Sequence, residues 1–596
     1  MKNFLYQGKS WIHTIQTCCI ISFRASTLYT ILEIICKSIV PLLTVFNTFV
    51  LKLLVDYVTS NSSNSLPLII LILLMSFILV LSKAVSTIEI YCNHLLNSKI
   101  GRLLSEDIIA DSCDADLELF DNSDQYNSFT RANQDIYVFP GVLNNVLLFG
   151  ASVISVVAVS FSLLPKVIFA LPVVLITEFP VALVQYKYIK ETYHLDDKQV
   201  ETTRRKNYIF LLSTLREFAM DVRLYNLKSY LLYNHCKYWK KQYDAQKKLH
   251  KSNLIHSISV TLVPAIGIGV CIFFLTEKAK SGLFSVSDFV LYSGLITQLS
   301  TAINQVATCG ASIYDSRLRV SSLERFRAIP RRIKNTGCLV LSSVHDIKFS
   351  HVSFVYPGTD KKVLDDVSFQ IANKEQIFLV GLNGSGKSTL IKLLLRFYDP
   401  TNGNITINDH SINEYSIESL RSAFGVYFQE SPNYHFSIKE NIHLSMLNKP
   451  FDYSLAQKLI EILHANSFIR SAPKGLDTTI GRSYDSFGIE LSGGEQQKIA
   501  LARTFYRNAS AYLLDEPSSA LDPEAESLLM DEIKKLSHNK MVIFVSHRLI
   551  NISSDSRVLV LEGGKLIEDG TKKQLLDQQG RFADLYTCQV NKYVTS

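Results

Sequence analysis

The sequence predicts a membrane α-helical bundle of about six long transmembrane helices, followed by an α/β domain built around a glycine-rich loop. Three observations predict it. Long apolar runs fill roughly the first half of the chain and are missing from the second. A G-x-x-x-x-G-K-[ST] stretch, Gly381-Leu382-Asn383-Gly384-Ser385-Gly386-Lys387-Ser388, lies between a short apolar strand and a helix. The 596 residues are 47% hydrophobic and only 19% charged, the average expected of a membrane half joined to a water-soluble half.

Taken in order, Met1 to Phe23 is mixed polar and aromatic. It has the layout of neither a signal nor a transit peptide, so it reads as a surface-lying helix or a frayed end. Spans are expected at Leu28–Val55, Leu66–Ile88, Tyr137–Leu163, Val167–Tyr188, Leu254–Leu275 and Phe289–Ala307. Each is long enough for a hydrocarbon core of about 30 Å. The connections after Val55, Leu163 and Leu275 are short. The other two, Asn97–Gln134 and Lys190–Lys251, are long and carry basic runs such as Arg204-Arg205-Lys206 and Lys240-Lys241. The positive-inside rule places both long connections and both termini in the cytoplasm. Helices are expected to continue out of the membrane there, with docking tips near Phe120–Ala132 and Val222–Asn234. The net charge of +7 is accounted for by such loops, and with no nucleic-acid motif present no nucleic-acid partner is expected. The ten cysteines show no C-x-x-C spacing and are expected as reduced thiols. The domain boundaries expected are 1–320 for the membrane part, 321–345 for a connector and 346–596 for the α/β part.

The chemistry lies in that last part. Gln376–Val380 reads as a buried strand, and Thr389–Phe397 as a helix stopped by Pro400. In that context the loop wraps backbone N–H groups around phosphate oxygens, Lys387 reaches the β and γ phosphates, and the Ser388 hydroxyl ligates Mg²⁺. The α/β half is therefore expected to be a P-loop nucleotide-binding domain. The apolar strand Ala511–Leu514 ends in Asp515 and Glu516. Asp515 is aimed at the same Mg²⁺, and Glu516 is placed to polarise a water for in-line attack on the γ phosphate. The strand Met541–Val545 delivers Ser546 and His547, a histidine for the γ phosphate and its attacking water. Leu491-Ser492-Gly493-Gly494-Glu495-Gln496 precedes a second helix, Gln497–Thr504, making a second anion-binding N-terminus. One nucleotide does not need two in a single monomer. A head-to-tail dimer resolves this, with each Ser492 capping the γ phosphate held by the partner's loop.

This set of motifs resembles the ATP-binding cassette (ABC) family, in its exporter form with six spans fused ahead of one nucleotide domain. The resemblance covers essentially the whole chain and implies further roles. Tyr356, in Phe354-Val355-Tyr356-Pro357, matches the aromatic that stacks on adenine. Gln429 matches the glutamine that senses Mg²⁺ and couples to the membrane half. Ser492, Gly493, Gly494 and Glu495 fall in the signature motif, with Glu495 where many members carry Gln. Asp522, in Ser519-Ala520-Leu521-Asp522, matches the loop that crosses the dimer interface, and His547 the switch histidine. Gly381, Asn383, Gly384, Ser385, Gly386, Lys387, Ser388 and Thr389 form the phosphate loop, and the polar tips correspond to coupling helices. The stretch around the signature is most similar to lantibiotic and peptide exporters. No peptidase domain precedes the spans, so leader cleavage by this chain is not expected.

The resulting expectation is an ATP- and Mg²⁺-dependent exporter in the bacterial cytoplasmic membrane. It is a homodimer with composite sites, and its cargo is a peptide or another amphipathic compound. Export of drugs or lipids, an importer and an ATP-gated channel are the alternatives. In the membrane half, Glu178 sits mid-span. It reads as a cavity acid for cationic cargo or, preferred, as a helix–helix hydrogen-bonding group. Glu33 and Lys37 are spaced as an i, i+4 pair.

Overall fold

The structure, a computed structural model, describes residues 2–60, 66–136, 139–429, 431–432, 434–482, 485–517, 523–546 and 548–594. These divide into two compact units. One comprises 1–115 and 123–330, the other 116–122 and 331–596.

The first unit is helical. Its elements are α1 (Lys2–Ala25), α2 (Thr27–Thr59), α3 (Leu66–Cys113), α5 (Ser123–Ile136), α6 (Phe139–Leu163), α7 (Ala170–Thr214), α8 (Arg216–Leu224), α9 (Lys228–Lys280) and α10 (Val286–Arg327), with α4 (Glu118–Asp121) belonging to the other unit. Among the described residues, five helices are long and apolar enough to cross a membrane: Thr27–Thr59, Leu66–Cys113, Leu143–Leu163, Ala170–Thr214 and Lys228–Lys280. The sixth expected span is also a helix, α10, but Ser, Thr, Gln and Asn dilute its apolar character. It packs against α2, α6, α7 and α9. A helix ringed by other helices is spared contact with lipid and tolerates polar side chains. The others turn apolar side chains outward. Leu73, Phe77, Val80, Phe161, Ile176 and Ile266 are each more than half exposed, the reverse of a water-soluble fold. The interior of one end is Val45, Val159, Leu163, Val174, Leu275, Leu295 and Leu299. Helices α7 and α9 approach closely because Gly267 has no side chain: a Cβ there would lie 2.6 Å from Thr177 Oγ1.

With 48, 45 and 53 residues, α3, α7 and α9 run far beyond their apolar stretches. The expected helical extensions are therefore present. The second tip lies earlier than expected, in α8 and the turn Tyr225–Leu227, because α9 is already continuous helix from Lys228.

The second unit is α/β. Strands β1 (Ile347–Val355), β2 (Lys362–Ile371), β4 (Asn402–Ile407) and β5 (His410–Ser411) form an antiparallel sheet in the order β2-β1-β4-β5. The strands β3 (Gln376–Val380), β6 (Phe424–Tyr427), β7 (Ala511–Asp515), β8 (Met541–Val545), β9 (Arg557–Glu562) and β10 (Lys565–Thr571) form a second sheet, β10-β9-β3-β8-β7-β6. It is parallel except for the β9–β10 hairpin. Along β3, Phe378 and Val380 enter one core, with Leu501, Phe505 and Phe544. Ile377 and Leu379 enter the other, with Leu390, Leu513 and Leu559. A strand buried on both faces reads as the unbroken apolar run seen in the sequence. It also brings three strand ends, β3, β7 and β8, to one edge.

Segment 116–122, though it lies between α3 and α5 in the chain, packs into this second unit. Leu117 lies against the second core, Asp116 accepts the Arg332 N–H at 2.6 Å, and Glu118 pairs with Arg332 at 3.1 Å. The Tyr398 hydroxyl donates to Asp121.

Candidate nucleotide site

The glycine-rich loop follows β3 directly and feeds α11 (Lys387–Leu394). Two of its glycines are required by geometry. Gly386 caps α11 at φ +106°, and a Cβ there would lie 2.6 Å from Leu364 Cδ2; at Gly381 a Cβ would lie 2.2 Å from the Leu561 carbonyl oxygen. Lys387 is the first residue of α11, which starts two positions earlier than the helix expected from sequence. It is buried, and its ammonium donates to the Gly381 and Leu382 carbonyl oxygens at 2.9 and 3.0 Å. Burial pushes it below the usual lysine value, and Glu516 and Asp515 oppose that shift. A desolvated cation held by weak carbonyl acceptors is poised to transfer to phosphate oxygens.

Asp515, 3% exposed, ends β7 between β6 and β8. Glu516 follows at φ +53°, its N–H donating to the Val545 carbonyl at 3.0 Å. A left-handed backbone at a glutamate is costly. Gln429, just past β6, donates from Nε2 to Glu516 Oε2 at 3.1 Å, leaving its amide oxygen for another partner. The Tyr356 hydroxyl is 3.1 Å from Thr389 Oγ1, and its ring stands edge-on to Phe354 and Tyr398.

These groups surround one cleft of about 750 Å³, lined by Tyr356, the loop from Asn383 to Thr389, Gln429 and Glu516. Its size suits a nucleotide, and its lining is mostly polar. Lys361, Lys362, Val363, Gly563 and Gly564 complete the wall, none of them anticipated from sequence. Gly563-Gly564 had a visible signal as the hairpin turn between β9 and β10. Gly564 accepts the Asp365 N–H at 2.9 Å, which ties the antiparallel sheet to the parallel one at the cleft.

Ser492 and Glu495 are elsewhere. Ser492 caps the helix Gly493–Tyr506, which begins four residues earlier than expected, so both glycines lie in its first turn. Ser492 and Glu495 form a reciprocal capping box: the Ser492 N–H donates to Glu495 Oε2 at 2.8 Å. Ser492 and Gly493 are exposed. They do not line the cleft, although Gln497 of the same helix donates from its amide to the carbonyl of Pro517, the residue after Glu516. Asp522 and His547 lie outside the described residues.

In the membrane unit Glu178 is 3% exposed and accepts a hydrogen bond from Ser300, so it joins α7 to α10. That is the helix–helix role preferred from sequence. It is not among the residues lining the cavity of this unit described below.

Comparison with known proteins agrees with this architecture. The model of the ABC transporter transmembrane region matches residues 29–303, and that of the ABC transporter matches residues 364–519. The subtilin transport ATP-binding protein SpaT of Bacillus subtilis is 32% identical over 510 residues, covering 83% of this chain and 81% of the relative. The mitochondrial iron-sulfur clusters transporter ABCB7 of Oryzias latipes is 31% identical over 386 residues, 63% of this chain and 51% of the relative. An ATP-dependent lipid A-core flippase of Coxiella burnetii is 33% identical over 349 residues, 57% of each chain. Among solved structures, a bacterial Atm1-family ABC exporter with ATP bound superposes with a TM-score of 0.82 over 95% of this chain and 98% of that one, at 22% identity, which speaks to the fold. With a helical membrane unit, a phosphate-loop cleft and a relative aligned along most of its length, this chain belongs to the ABC transporter family, as an ATP-hydrolysing membrane exporter carrying one nucleotide-binding domain per half-transporter.

Proposed function

We propose that two copies of this chain form a homodimer in the plasma membrane and export an amphipathic peptide, closing two ATP molecules between the nucleotide domains. The observation that carries the dimer is the split between the two anion-binding helix ends. Lys387 lies in the cleft, whereas Ser492 faces solvent outside it. A second copy in head-to-tail orientation brings its own Ser492, Gly493 and Gly494 over the γ phosphate. Helix α8 gives further support. It has no buried residue, and Met220 and Leu224 at its tip are about three-quarters exposed, a face suited to a partner's nucleotide domain.

In this reading Tyr356 stacks on adenine, and Gly381, Asn383, Gly384, Ser385, Gly386 and Thr389 shape the phosphate cradle. Lys387 leaves its two carbonyl acceptors for the β and γ phosphates. Glu516 takes the proton of the attacking water, and Gln429 holds Glu516 in position. The oxygen donors Ser388, Asp515 and the free amide end of Gln429 fit Mg²⁺, a hard cation that neutralises phosphate charge when bound. His547 contacts the γ phosphate, and Asp522 reaches across the interface. Closure and reopening of the dimer drive alternating access through the membrane helices. The preference for a peptide cargo rests on similarity to a relative named for subtilin transport and on the lantibiotic-exporter character of the signature stretch.

The test is complementation. One tagged copy carries Lys387→Ala and a differently tagged copy carries Ser492→Ala. If sites are composite, both defects fall on one site of the heterodimer and the other is intact. Vanadate should then trap nucleotide at about half the wild-type stoichiometry. No trapping in the purified heterodimer would overturn the composite site.

A further inference from the structure

The membrane unit holds a partly open cavity of about 320 Å³ between α2, α3, α6 and α10. Its lining is mixed: Ser152, Gln298, Thr301 and Gln305 offer hydroxyl and amide groups among aliphatic side chains, and only Lys37 and Glu89 carry charge. Lys37 is almost fully buried. Its ammonium lies 2.8 Å from Glu33 Oε1 and 3.1 Å from Glu89 Oε1 and also donates to Asn144 Oδ1.

The three charged groups are not balanced. Two carboxylates share one ammonium, in a setting where an uncompensated charge is expensive. The two acids also differ in kind. The Glu33 side chain is fully buried, accepts from Asn93 Nδ2 at 2.8 Å, and leaves Oε2 without a hydrogen-bond partner among the described residues. It is the fixed counter-ion of Lys37. The Glu89 side chain is 23% exposed, has the longer contact to Lys37, and lines the cavity, whereas Glu33 does not. Glu89 is the carboxylate a newcomer can reach without dismantling the Lys37–Glu33 pair.

We propose that Glu89 is the cavity's counter-ion for a cationic group on the cargo, a primary ammonium or a guanidinium, with the neighbouring hydroxyl and amide groups taking its remaining donors. This deepens the exporter reading and rests on it for the word cargo. The arriving cation supplies the charge that the Glu33–Lys37–Glu89 set lacks. Lys37 stays with Glu33 and Asn144, so entry replaces one ion pair with another instead of stripping a charge bare. The aliphatic part of the lining takes the apolar body next to the cation. A cargo without a cation leaves the surplus carboxylate uncompensated and is selected against.

The experiment uses the full chain in lipid nanodiscs without ATP. The probes are a dye-labelled amphipathic pentapeptide with one lysine and the same peptide with that lysine acetylated, both read by fluorescence anisotropy. Wild-type protein should bind the ammonium form about tenfold more tightly than the acetylated form. Glu89→Gln should bind the two forms alike, and Glu89→Asp should keep most of the preference. Retained binding of a fluorescent ATP analogue reports that each variant is folded. Equal binding of both peptides by wild-type protein overturns the proposal, as does full preference in Glu89→Gln. The wild-type comparison decides even if a variant fails to fold. Because binding is read without ATP, failure of ATP-driven uptake in wild-type vesicles would count against the exporter reading alone. Absence of a charge preference in vesicles that do pump would count against Glu89 alone.

Discussion

In the nucleotide cleft the binding groups are mainly backbone and the side chains nearest them. Glycines at 381 and 386 admit no Cβ, Lys387 is parked on two carbonyls, and Glu516 is held by a strained backbone and by Gln429. In the membrane cavity the binding groups are side chains alone, because the helical backbone there is already satisfied. The first arrangement fixes one ligand geometry and tolerates little change. The second sets a charge and a polarity and leaves shape open.

Three substitutions probe that contrast. The largest effect is expected from Glu516→Gln. It should retain ATP binding while lowering turnover by about 10²–10⁴-fold, the range for a positioned general base. Steady-state ATPase assays in proteoliposomes check it, and near-normal turnover would remove Glu516 from the catalytic role. Next is Gly386→Ala, which forces a Cβ into Leu364 at φ +106°. A loss of about 1–3 kcal/mol of stability is expected from the backbone strain, seen as a lower thermal midpoint together with weakened nucleotide binding. An unchanged midpoint would mean the cradle is more pliable than its geometry indicates. The smallest effect is expected from Glu178→Gln. The amide still accepts from Ser300, so stability should change by no more than about 1 kcal/mol. In the paired-peptide assay it should leave the ammonium preference intact. A lost preference there would move the cargo charge site from Glu89 to Glu178.

The cleft was legible in the sequence where its chemistry permits few solutions. The strand before the loop, the carboxylates ending β7, and β8 were placed from local pattern, since each is a contiguous run with one workable geometry. What escaped was assembled from distance. Lys361, Lys362 and Val363 reach the cleft only because the antiparallel sheet folds against the parallel one. Glu89 stands just beyond the apolar run ending at Ile88 and ahead of the polar connection that begins at Asn97, where no motif singles it out. Its partner Lys37 lies 52 positions earlier by number, and nothing in either stretch announces the other. Glu33 and Lys37 were visible as a helical pair, but a pair closed on itself conceals that a third charge is shared. The early start of the signature helix has a local cause. Glycines usually break helices, yet here the Ser492–Glu495 box pairs the N–H groups of Ser492 and Glu495 and fixes the helix start ahead of Gly493 and Gly494.

The short helix α4 has a practical consequence for anyone dividing this chain. Because Leu117, Glu118 and Asp121 are seated in the nucleotide domain, a fragment starting at residue 331 or 346 carries an open apolar socket beside Tyr398 and, where retained, an orphaned Arg332. Exchanging nucleotide domains between related pumps therefore means transplanting seven residues from far upstream as well, or accepting a chimera whose plug and socket come from different makers.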